Sequence, residues 1–441
     1  MQHGPAPTLR TRDAVAVTVG IVLGAGIFRA PSLVAGGVDG LATLVGVWLA
    51  GALIALAGAL CYAELAAAYP GPGGDYFYLR RAFGGRLAFL YAWARLAVIQ
   101  TGSIAVLAFV FGDYLAQALP LGPAASAIYA ALAVVGVTAV NWLGVREGAR
   151  AQNWLTGLEV TGLLLVVVAG LALAPEAAPA PPPAASGEGA SLGLVMVFVL
   201  LTYGGWNETA YLSAELGGGG RRIGRVLVIG IAIIAALYLL ANLAYYRALG
   251  LAGMAGSDAL AADVMRAAFG PQGAALIALA VAVAALTSAN ATAITGARSA
   301  YALGRDVPAL GFLGRWHGPS GSPRNAVLAQ GMVALLLVGA GAFARDGFQA
   351  AVEYTAPVFW FFFLLVGVAL FLLRAREPDR PRPFRTPLYP LVPALFCAAN
   401  AYLLWSSLAY TGWAALAGVA VLAVGGVLLL VFRPQAPEAD P

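Results

Sequence analysis

Apolar residues gather along this chain into about twelve long runs separated by short polar or glycine- and proline-rich breaks. The runs cover 13–36, 40–68, 86–119, 124–142, 152–174, 191–214, 224–250, 272–303, 325–344, 348–373, 388–408 and 411–432. Each is long enough for a helix through a hydrocarbon core of roughly 30 Å, which takes ~20 residues. Apolar runs of that length predict membrane helices. The first run is too long for a signal peptide, lacks a small-residue cleavage site, and is followed by eleven more.

Two runs are flawed in the same way. The first carries Gly24-Ala25-Gly26 at its centre, with Arg29 and Pro31 just beyond; the sixth carries Gly204-Gly205, followed by Asn207, Glu208 and Thr209. Gly24 and Gly204 lie 180 residues apart, each in the first span of a group of five. Glycine in a membrane helix often serves only close packing. Two interruptions in register, each flanked by residues foreign to lipid, point instead to the binding site of a secondary transporter. An unwound helix frees N–H and C=O groups that lipid cannot satisfy, so a break persists only beside a cavity or a ligand. Freed N–H groups start a half-helix whose positive end attracts a carboxylate. Freed carbonyls at the other end take an ammonium, so together the breaks suit a zwitterion.

Composition agrees. Of 441 residues, 61% are hydrophobic and 10% charged, against ~25% charged in ordinary soluble domains. All 25 basic residues are arginine. They collect at the N-terminus (Arg10, Arg12) and in the even-numbered loops, among them Arg80, Arg81, Arg86, Arg146, Arg150, Arg221, Arg222 and Arg225. Arg298, Arg305, Arg315 and Arg324 follow, then Arg374, Arg376, Arg380, Arg382 and Arg385. The positive-inside rule then sets both termini in the cytoplasm of a multi-pass inner (plasma) membrane protein. The net charge of +5 reflects this bias and not nucleic-acid binding. Cys61 and Cys397 sit inside runs, His3 and His317 outside them; neither a metal site, a cofactor motif nor a catalytic set is legible.

The stretches "GAGIFRAPSLVA" (24–35) and "YGGWNETAYLSAEL" (203–216) carry a family resemblance. So do "YAELAAAYPGPGGDYFYLRRAFG" (62–84), "NATAITGARSAYALGRD" (290–306) and "RPFRTPLYPLVPALF" (382–396). Together they resemble the amino acid–polyamine–organocation superfamily, in its L-type amino acid transporter branch. The resemblance implies an all-α membrane protein of twelve transmembrane helices, a five-plus-five inverted repeat of the LeuT type with helices one and six discontinuous. The expected divisions are an N-terminal tail 1–12, a first repeat 13–174 and an extracellular Pro/Ala-rich linker 175–190. A second repeat 191–373, a cytoplasmic loop 374–387, two helices in 388–432 and a tail 433–441 follow.

The resemblance also assigns roles. Gly24, Ala25 and Gly26 supply amides to a substrate carboxylate, with Ile21 and Ile27 nearby. Thr202, Tyr203, Gly204 and Asn207 meet the amino group and side chain. The family's aromatic gate position holds Leu201 here, leaving Tyr203 or Trp206 as the gate, unless those rings only pack helices. Asn207 stands where some members keep an acid, which argues against a strictly cationic substrate. The family's acid on helix three and lysine on helix five are Arg95 and Glu159 in this chain. The exchanged signs predict that the two face each other, with Ser288 and Thr292 alongside.

Charges inside a membrane are functional candidates by default. Glu64 and Glu215 are expected to pair with Arg80, Arg81 or Arg298, or to be solvated; Glu208 caps freed N–H groups; Arg29 has no legible partner. The leading function is a secondary active transporter, an exchanger or proton-coupled symporter, of small to medium neutral L-amino acids. The expected partners are the amino acid, the bilayer and protons, with no accessory subunit required. Transport of cationic amino acids or polyamines is the alternative. A channel-like pore would need a continuous polar lining and an enzyme would need clustered acids or histidines, and neither is visible.

Overall fold

The computed structural model describes residues 11–69, 74–144, 149–177, 192–210, 221–317, 322–344, 346–410 and 412–431. Among them the chain is helical, and nine helices are long and apolar enough to cross a membrane. The linker expected at 175–190 and both tails fall mostly outside the described residues, as does Glu215.

The first run is broken into α1 (Thr11–Val22), a 3-10 turn (Ala25–Phe28) and α2 (Ala30–Ala35). The long α3 (Leu41–Ala68) follows, then a short amphipathic α4 (Gly74–Phe83) that the apolar pattern does not announce. The third run is α5 (Gly85–Ala94) and α6 (Gln100–Ala118), joined through a π-helical turn at Arg95–Ile99. Then come α7 (Ala125–Leu143) and α8 (Ala149–Val168). The sixth run is again broken, into α9 (Leu192–Thr202) and α10 (Trp206–Ala210).

Two long helices come next, α11 (Arg221–Ala255) and α12 (Leu260–Asp306). Each is two helices in one: Gly250, at φ +66°, breaks α11 near its end, and Gly270, at φ +73° ahead of Pro271, turns α12 between a short segment and the membrane-length one. After α13 (Arg324–Gly341), α14 (Gly347–Arg376) starts at an Asp346 cap, whose side chain accepts from the Gln349 N–H. The chain ends in α15 (Leu391–Tyr410) and α16 (Trp413–Val431).

The broken helices lie at the centre. α1 packs on α11, and α11 packs on α3; α6 lies against α12, α7 and α14; α15 and α16 lean on α14 from outside. Close approach depends on small residues. A methyl at Gly58 of α3 would come within 2.6 Å of the Trp206 ring and 2.5 Å of Phe396. Membrane helices associate through such packing rather than through exclusion of water.

Candidate functional site

The chain leaves α1 at Leu23, runs extended through Gly24 (φ −86°, ψ 175°) and re-enters a helical turn at Ala25. The N–H groups of Ala25 and Gly26 open that turn and have no partner within it, whereas Gly24, also expected to offer its amide, donates to the Val22 carbonyl at 2.7 Å. The turn's carbonyls are occupied: Tyr114 donates to the Phe28 carbonyl at 2.8 Å, and Tyr245 to that of Ile27 at 3.4 Å. The free groups are thus donors, which suits a carboxylate.

The sixth run breaks through Tyr203, Gly204 and Gly205. Gly205 has φ +102°, a conformation that side chains rarely tolerate. The two breaks touch. A Cβ at Gly26 would lie 3.5 Å from the Thr202 methyl, and one at Gly205 would lie 3.0 Å from the Ile21 carbonyl. The buried Tyr238 hydroxyl of α11 joins them, 2.8 Å from the Val22 carbonyl and 3.1 Å from that of Thr202. Those are the last carbonyls of α1 and α9, and they share one proton. Gly24, Gly26 and Gly204 stay half-buried beside this junction, and Ile21 is exposed.

The aromatic candidates are packed. Tyr203 lies against Trp48 and Tyr238, and Trp206 against Tyr62, Phe363 and Phe396. Leu201 is half-buried, Ile27 and Asn207 are buried, and the Thr202 hydroxyl donates to the Phe198 carbonyl at 2.7 Å.

The expected pairing of Arg95 with Glu159 is not what forms. Arg95 reaches Glu208, Nη2 to Oε1 at 3.0 Å. Its Nη1 donates to Tyr91 at 3.2 Å, and Tyr91 donates to the buried Asp75 of α4 at 2.9 Å. With its amide oxygen turned inward, Gln100 accepts from Arg95 as well. Glu159 is buried on α8 and accepts from Ser288 of α12 at 3.4 Å. Thr292 donates to the Ser288 carbonyl and so does not join Arg95. The signs implied an acid for Arg95 but not which one. The sixth-span break carries Glu208 to the π-turn, whereas α8 packs toward α12.

Glu64 also has another partner than expected. It is fully buried and bound by Arg374 at 2.7 and 2.5 Å and by the Thr386 N–H at 2.6 Å. The 374–387 loop is thereby fastened to the end of α3. Arg29, which had no legible partner, has three acids. Its guanidinium contacts Asp346, Asp258 (3.0 Å) and Asp113 (3.4 Å), donates to the Ser257 carbonyl at 3.1 Å, and lies over Phe348. Four elements meet on that one side chain.

Sequence reasoning missed Tyr238, Tyr245, Tyr114 and these three aspartates. Tyr238 and Tyr245 lie seven residues apart on one face of α11, a signal that could have been followed. The aspartates lie far apart in the chain, and only the fold collects them.

Compared with known proteins, residues 9–429 match the model of the amino acid permease family. The chain belongs to the amino acid permease family. It is similar to the b(0,+)-type amino acid transporter 1 of Mus musculus, 27% identical over 404 residues, covering 89% of this chain and 80% of the relative. It is similar also to the Large neutral amino acids transporter small subunit 2 of Homo sapiens, 29% identical over 420 residues, covering 89% and 75%. Both belong to the L-type branch that the motifs resemble. This permease is accordingly a multi-pass membrane protein of amino acid transporter kinship and not an enzyme.

Proposed function

We propose that this permease carries small to medium neutral L-amino acids across the plasma membrane by alternating access. The observation that supports this most is the contact between the two breaks. Donor amides at Ala25 and Gly26 suit the carboxylate, and the carbonyl of Thr202, which Tyr238 leaves with a second lone pair, suits the ammonium, beside Tyr203, Gly204 and Asn207. Twelve spans follow if the two broken runs and the shorter apolar helix at Gly157–Leu173 join the nine long ones. The matching breaks support a five-plus-five inverted repeat, and the arginine bias supports cytoplasmic termini.

Alternating access requires that one side close while the other opens. Arg29 and its three aspartates seal the side opposite the arginine-rich loops. Toward those loops, α12 carries a stripe of hydroxyls, Ser288, Thr292, Thr295 and Ser299, with Thr295 exposed. Polar side chains are costly against lipid, so the stripe suits a watery vestibule. Leu201, half-buried at the end of α9, is the group best placed to gate it, since the Tyr203 ring is packed between Trp48 and Tyr238. Arg95 with Glu208, and Glu159 with Ser288, are the coupling groups, the second pair offering a carboxyl to a proton.

The test is a counterflow screen of the proteinogenic amino acids in liposomes holding this chain alone. Alanine, serine, threonine, leucine and phenylalanine should compete best for saturable uptake stimulated by internal substrate. Arginine, lysine or agmatine out-competing them would overturn the neutral assignment. Using the single chain also tests for an accessory partner, a point raised by the human relative's name as a small subunit.

A further inference from the structure

Glu208 sits three residues after Gly205, one helical turn or about 5 Å from the break. Only one of its carboxylate oxygens is engaged: Oε1 meets Arg95 at 3.0 Å, and among the described residues Oε2 accepts no hydrogen bond. The side chain is 30% exposed while that of Arg95 is 10% exposed, so the cation lies behind and the carboxylate faces the open side. Behind it, Arg95 also answers to Tyr91 and through it to Asp75. One guanidinium is thus shared between two acids, and the outward oxygen keeps its capacity for a second donor.

The chemistry of such a group is specific. A lone buried carboxylate would demand a cation and reject neutral ligands, because its desolvation would go uncompensated. A carboxylate already half-satisfied by arginine tolerates a neutral side chain and still binds an ammonium or guanidinium through its free oxygen. A four-carbon amine stem reaches about one helical turn from the site of the amino acid's own charges. We infer that Glu208 is a specificity-determining residue that admits amino acids with a cationic side chain alongside neutral ones. Arg95 sets how strongly cations are favoured. This rests on the transporter reading above.

The experiment is leucine counterflow in proteoliposomes, with lysine, ornithine and leucine as competitors and with folding checked by thermal melting. The readout is the ratio of half-inhibitory concentrations, cation to leucine. Wild-type protein should be inhibited by lysine and ornithine. Glu208→Gln should raise the ratio roughly tenfold, about 1.4 kcal/mol. Arg95→Gln, which leaves the carboxylate without its internal cation, should lower it. Glu208→Asp keeps the charge and should lie between wild type and Glu208→Gln, which preserves the test if Glu208→Gln does not fold. A wild type insensitive to lysine and ornithine, or variants that shift lysine and leucine by one common factor, would overturn the inference. Absence of any saturable leucine counterflow in the wild type would instead remove the transporter reading beneath it.

Discussion

Asp75 lies on α4 outside the spans, buried at 2% exposure among Tyr91, Tyr62, Arg95 and Glu208. Burial raises its carboxyl to about 6, against the pull of Arg95 and the Tyr91 hydrogen bond. Because the folded value lies above the unfolded one, the proton favours the fold. This contribution is complete below about pH 4 and is lost as pH rises through about 6. The melting temperature of the wild type should therefore fall relative to Asp75→Asn between pH 4.5 and 7, and parallel curves would contradict the burial argument. The charge pattern alone revealed that Arg95 needs an acid. It did not identify Glu208, because that choice depends on where the half-helix starting at Trp206 points after a glycine turn.

At the scale of elements, the broken helices were legible because glycine pairs and flanking charges interrupt apolar runs in a way lipid forbids. Helix α4 and the segment before Gly270 were not, being too short and too polar to stand out from loops. The charge cluster around Arg29 belongs to this scale, for it joins α2 to the end of α6, the loop before α12 and the start of α14. Removing one partner of a buried charge set typically costs about 3–5 kcal/mol, enough to shift a conformational equilibrium. With Cys61 and Cys397 replaced, a cysteine at Ala30, now 2% exposed, should label slowly with a membrane-impermeant thiol reagent applied from the sealed side. Adding Arg29→Gln should speed that labelling severalfold. Unchanged rates would mean that the cluster braces the fold without governing access.

For the whole molecule, the multi-pass, all-helical character was readable because the bilayer fixes segment length. The energy source was not, since coupling depends on which buried groups meet. Glu159 has Ser288 beside it and Arg95 lies elsewhere. Uptake should persist when choline replaces sodium and should quicken under an outside-acid gradient, with Glu159→Gln losing the pH response while exchange continues. Sodium dependence would contradict this arrangement.

The transport function depends on the two apposed breaks forming the binding site. Equilibrium binding of a radiolabelled neutral amino acid to purified Gly26→Ala and Gly26→Leu tests it most directly. The first methyl meets Thr202 at an ordinary 3.5 Å, so alanine should bind within a few-fold of wild type. The branches of leucine would fill the space between the amides and Thr202 in a helix that otherwise tolerates leucine well. The account predicts that folded Gly26→Leu loses affinity by roughly a hundredfold, about 2.7 kcal/mol. Wild-type affinity in that variant would contradict it and leave Gly24-Ala25-Gly26 as packing alone.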